Sequence, residues 1–82
     1  MLVKYFADVR KLTGCEAEPW TAAAPTLRAL LGALTGRHGA AFRERVLPGG
    51  ALSGTLIVLV NGRNVEHLAG ADTPLGPEDV VV

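Results

Sequence analysis

The chain has 82 residues, 49% of them apolar and 20% charged, with eight basic and eight acidic side chains and a net charge of zero. That composition describes one small globular domain, residues 1–82, with a single modest core burying roughly 60–65% of its unfolded surface, and excludes a disordered chain. Balanced, scattered charge offers no strong attraction to nucleic acid or to an anionic membrane, so neither is expected as a partner.

Leu2 to Ala7 alternates as a strand, with Val3 and Tyr5 on one side and Leu2, Lys4 and Phe6 on the other. Lys4 directs its side outward, because a charge is costly in a core, and Phe6 goes with it. Asp8 to Gly14 reads as a bend, Gly14 being free to take positive φ. Cys15 to Trp20 is a weaker strand. Pro19 lacks a ladder donor and places this strand at a sheet edge, where Glu16 and Glu18 discourage pairing with other chains.

Thr26 is suited to cap a helix. Leu27, Leu30, Leu31 and Leu34 then fall at i, i+3, i+4 and i+7, one apolar stripe and the strongest periodic signal in the chain. Gly36 and Gly39 bracket its end, and Ala40 to Val46 adds a further helical turn or two around Phe42 and Val46. Leu47 to Gly54 is a loop. Thr55 to Val60 is the second strong strand, Asn61-Gly62 a type I′ hairpin turn, and Arg63 to Val65 the returning strand. His67 to Asp72 reads as a tight turn or 3₁₀ segment. Pro74 to Val82 passes through Leu75-Gly76-Pro77 and two acids into three valines, a β-branched run that favours extended backbone.

One helical stripe needs both hairpins as a sheet to cover it, and the final strand finds cover beside the first, running parallel to it. The expected fold is therefore α+β, a β-grasp with a mixed sheet of four to five strands packed on one main helix. A strand of bare valines reaching Val82 also raises the expectation that the functional polypeptide runs on past it.

Catalytic and metal constellations are missing. Cys15, His38 and His67 share no ligand spacing and read as a half-buried thiol and surface imidazoles. Glu78 and Asp79 are strand neighbours pointing to opposite faces. The one cysteine cannot form an internal disulfide, which fits a reducing, cytoplasmic setting. The apolar run Leu56 to Val60 is too short to span a bilayer, and MLVKYF meets a charge too early for a signal peptide. What remains is a surface. With Val58 and Val60 facing the helix, Ile57 and Leu59 face away; the same alternation turns Val80 and Val82 inward and Val81 outward. Phe6, Ile57, Leu59 and Val81 then make an apolar patch on the helix-free side, the expected partner site, with Arg10 and Arg63 as candidate rim charges.

Four segments occur in order: YFADVRKLTG (5–14), the Pro25-Thr26-Leu27 helix start, VNGRNV (60–65) and DTPLGPEDVV (72–81). Together the chain resembles the MoaD-type sulfur carriers, small subunits of molybdopterin synthase in the ubiquitin-like superfamily. The resemblance implies a carrier with no bound cofactor and no active site of its own. It implies a Gly-Gly tail beyond the last strand, adenylated by an E1-like enzyme that uses ATP and then converted to a thiocarboxylate. Sulfur would pass to a cyclic pyranopterin phosphate in the large subunit of molybdopterin synthase, within a heterotetramer. The sequence departs from this pattern, since no Gly-Gly follows Val82. Two other readings stay open: a carrier for another pathway, such as thiamin or cysteine synthesis, and a ubiquitin-like binding module that carries no sulfur.

Overall fold

The computed structural model describes residues 1–82. Five short strands form one sheet: β1 (Leu2–Lys4), β2 (Ala17–Pro19), β3 (Leu59–Val60), β4 (Arg63–Asn64) and β5 (Val80–Val81), in the order β2-β1-β5-β3-β4. β5 lies at the centre, parallel to β1 and antiparallel to β3. Three α-helices complete the fold: α1 (Ala7–Thr13), α2 (Leu27–His38) and α3 (Ala40–Val46). This is the expected β-grasp.

α2 forms where the stripe predicts it. Thr26 sits in extended backbone and its side chain accepts the Ala29 N–H, satisfying one of the helix's free donors. Leu27, Leu30, Leu31 and Leu34 are all buried against the sheet, each worth roughly 1.5–3 kcal/mol as an upper estimate. Gly39 ends α2 at φ 91°, and α3 folds back to bury Phe42 and Val46. The Asn61-Gly62 turn has φ of 52° and 83°, the two positive values that a type I′ hairpin requires.

Three local expectations are corrected. Asp8 to Gly14 is not a bend: Ala7–Thr13 is helical, with Gly14 in the left-handed region returning its N–H to Arg10 O. Val9 and Leu12, three apart, pack on the core from this helix. Of Thr55 to Val60 only Leu59–Val60 is laddered as a strand, and Thr55 is drawn instead into a turn in which its N–H donates to Ser53 Oγ. Val65 leaves β4 for a 3₁₀ turn, Val65–His67, whose Glu66 N–H is taken by Asn64.

The fourth correction concerns β5. Its register pairs Val81 with Val3 on one side and Val60 on the other, and cross-strand partners share a face. All three are buried, Val81 at 3% exposure. Val81 therefore points into the core, and Val80 and Val82 lie half-buried towards the opposite face. A run of three valines carries no alternation of its own, so its facing is set by the neighbours' register.

Candidate partner-docking face

The helix-free side of the sheet carries Leu2, Lys4, Leu59, Val80 and Val82 by strand alternation. Leu59 and Val82 exchange both backbone hydrogen bonds, Leu59 N–H to Val82 O at 3.0 Å and Val82 N–H to Leu59 O at 2.8 Å. Phe6, just past β1, is 60% exposed and Ile57, just before β3, is 72% exposed. Both line the rim of one cleft together with Val82. Of the predicted patch, Phe6, Ile57 and Leu59 are where alternation put them. Val81 is beneath the surface, and Val82 takes its place.

The two predicted rim arginines separate. Arg10 is half-exposed on α1 and already engaged by Glu16 at 3.1 Å. Arg63 is the cross-strand partner of buried Val60, so it leaves the sheet on the helix side, away from Leu59 and Val82.

The register of the face is held by a polar lattice at its other end. Asn61 Nδ2 donates to Asp79 Oδ1 at 2.8 Å, and Val80 N–H donates to Asn61 Oδ1 at 2.9 Å. Gly76 N–H donates to Asp79 Oδ2 at 2.7 Å. The Gly76 N–H, and then the Asn61 amide, hold the Asp79 carboxyl below the usual aspartate range. The adjacent acids Glu78 and Asp79 thus end a turn just before β5 and are not strand neighbours.

A second polar cluster joins Tyr5, Glu18, Arg37 and His38, which lie far apart in the sequence. Glu18 on β2 is buried, unlike exposed Glu16, which corrects its reading as an edge guard. Tyr5 Oη donates to Glu18 Oε2 at 2.9 Å and Arg37 Nη1 donates to Oε1 at 2.7 Å. His38 Nε2 lies 2.8 Å from Oε2, in the donor tautomer if it is to bond there. His38 is therefore a nearly buried imidazole, not a surface one. Cys15 Sγ lies 3.6 Å from Oε2 as well. Burial pushes the Glu18 carboxyl up, but the bonds from Tyr5 and His38, with the His38 and Arg37 charges, outweigh it and hold it below the usual glutamate range. Burial, with Glu18 beside it, drives the Tyr5 phenol well above its ordinary value. The only sequence signal was Arg37-His38 at the end of a helix packed over β2, and it becomes legible only once that packing is known.

Sheet order, the parallel β1–β5 pair and the single long helix define a ubiquitin-like β-grasp protein. The ThiS family model matches residues 3–82. The chain belongs to the ThiS family of ubiquitin-like sulfur carriers. Among solved structures it is similar to small archaeal modifier protein 1 from Methanosarcina acetivorans, with TM-score 0.84 and 28% identity over 98% of this chain and 85% of that one. It is similar to a candidate molybdopterin converting factor subunit 1 from Pyrococcus furiosus, with TM-score 0.72 and 33% identity over 98% and 88%. A chain of the BexX/CysO complex from Amycolatopsis orientalis superposes with TM-score 0.82 over 98% and 88%, and at 21% identity speaks to the fold alone. No curated protein sequence matches significantly.

Proposed function

We propose that this carrier is the small subunit of a molybdopterin synthase. In that role a C-terminal Gly-Gly tail is adenylated at its carboxylate by an E1-like enzyme using ATP, and a sulfur donor displaces the adenylate to leave a thiocarboxylate. The large subunit then receives the tail, and sulfur passes to a cyclic pyranopterin phosphate, with two small and two large subunits assembled in the cytoplasm. The observation that carries the reading is the placement of β5. Val82, just past it, is clasped to Leu59 beside exposed Phe6 and Ile57, so a tail leaving the sheet there emerges next to an apolar docking face. The 33% identity to the Pyrococcus furiosus protein favours the molybdopterin assignment.

A second reading keeps the same carboxyl chemistry and changes the acceptor, to another biosynthetic pathway or to a protein. Similarity to small archaeal modifier protein 1 favours it. Intact mass of the protein isolated from its own host tests the carrier chemistry. A Gly-Gly end with one oxygen replaced by sulfur is the expected result, and a mature chain lacking a terminal glycine would refute it. Incubating the thiocarboxylate form with the host's candidate large subunit and cyclic pyranopterin phosphate separates the two readings: dithiolene formation supports the first, and its absence with a competent large subunit supports the second.

A further inference from the structure

Phe6 and Ile57 stand over a cavity of about 250 Å³ whose walls include Tyr5, Leu34, Phe42, Val46 and Val81. Strand alternation starts both outward, opposite buried Tyr5 and Val58, and both are mostly exposed. The apolar cavity alongside offers them a drier place, so their presentation depends on how firmly the segments that carry them are held.

Arg45 on α3 is placed to hold them. Its Nε donates to Asp8 Oδ2 at 2.5 Å, two residues after Phe6. Its Nη1 donates to Ser53 Oγ at 3.4 Å and Thr55 Oγ1 at 3.3 Å, the latter two residues before Ile57. The second arm grips a small folded turn, since Ser53 Oγ also takes the Thr55 N–H at 3.3 Å and lies 3.1 Å from Thr55 Oγ1. Arg45 itself lines the cavity. On the other arm Ala7, between Phe6 and Asp8, has φ 52°. A non-glycine residue keeps that left-handed conformation only where its surroundings impose it, and the Asp8–Arg45 pair is an adjacent restraint.

We infer that Arg45 is a positioning residue for the docking face: by tying α1 and the 53–55 turn across the cavity it keeps Phe6 and Ile57 presented to the E1-like adenylating enzyme of the proposed function. The inference rests on the docking role assigned above to that face. Arg45 need not touch the partner, and a scan of exposed residues alone would pass over it.

The test titrates the full chain against the host's E1-like adenylating enzyme by calorimetry, with Arg45→Met, Asp8→Asn, the double variant and Ile57→Asp. Arg45→Met is expected to weaken binding about tenfold, or about 1.4 kcal/mol. Asp8→Asn should weaken it less, and the double variant no more than Arg45→Met, because the two act through one link. Nuclear Overhauser contacts from the Phe6 ring to Val46 should appear in Arg45→Met, an inward turn of Phe6 that a merely structural role does not predict. Wild-type affinity in folded Arg45→Met, with a loss in Ile57→Asp, overturns the positioning role and leaves the docking face standing. Undiminished affinity in Ile57→Asp overturns the docking face and the positioning role with it.

Discussion

Replacing Glu18 by Gln removes one charge from the buried cluster and little else. The geometry sets the size of the effect. Arg37 is 56% exposed at its side chain, so its pair with Glu18 counts as a surface ion pair, worth about 0.2–1 kcal/mol. Tyr5 and His38 make buried or nearly buried bonds at 2.9 and 2.8 Å. Bonds to a charged acceptor are worth about 1.5–3 kcal/mol each, and roughly half that when the acceptor is neutral. Gln still offers an oxygen, so only the charge-assisted increment is lost, and relief of the desolvation penalty offsets part of that. The net cost is about 2 kcal/mol at pH 7, a fall in Tm of roughly 8–16 °C for a domain this size. Because the folded Glu18 pKa is depressed, the unfolded chain binds the proton more readily. Wild-type stability from this group is therefore complete above the ordinary glutamate range of about 4.3 and drains away as pH falls through the folded value. Urea unfolding of wild type and Glu18→Gln from neutral to acid pH is the assay, and the gap should close on acidification. A gap that stays constant with pH, or that is below about 0.5 kcal/mol at pH 7, refutes the reasoning.

Val81 and Val82 should respond oppositely: Val81→Asp prevents folding, seen as loss of the cooperative urea transition, whereas Val82→Asp folds and loses partner binding. The milder Val81→Ala should cost about 2 kcal/mol, two buried methyl groups plus residual cavity, by chemical denaturation. Leu59→Asp should leave the circular dichroism spectrum unchanged and weaken binding to the adenylating enzyme and the large subunit in parallel. Ala7→Gly, which relieves a left-handed alanine at φ 52°, should stabilise the fold by up to about 1 kcal/mol in thermal unfolding.

Long-period and topological signals are legible in the sequence. Four leucines at helical spacing can bury only as a helix, Asn61-Gly62 supplies two positive φ values, and a third apolar strand has cover only at the sheet centre. What stayed hidden depends on pairing between distant segments. Val9 and Leu12 are too few, among Asp8, Arg10 and Lys11, to announce the helix they anchor. The facing of Val81 follows from Val3 and Val60, and no property of three consecutive valines could reveal it. Arg63 turns to the helix side for the same reason, as the partner of Val60. Glu18 looked like an edge charge because Arg37 and His38, which hold it, lie on the neighbouring helix end rather than nearby in sequence.

That dependence on register gives Asn61 two tasks. Its backbone takes the positive φ that turns the hairpin, and its amide ties Asp79 and the Val80 N–H to the turn. A slip of β5 by one residue would bring Val81 to the docking face and drive Val80 and Val82 into the core. It would also break the Asn61–Asp79–Gly76 lattice, so the polar contacts and the apolar core select the same alignment. The alignment lets one short strand serve both faces. Val81 is locked among Val3 and Val60, and Val82 is thereby held in its pair with Leu59 beside Phe6 and Ile57. A partner pressing on Leu59 and Val82 presses on strands whose other face, Val60 and Val81, is buried in the core. In a carrier, recognition of the face and aim of the tail would then be one mechanical event, not two.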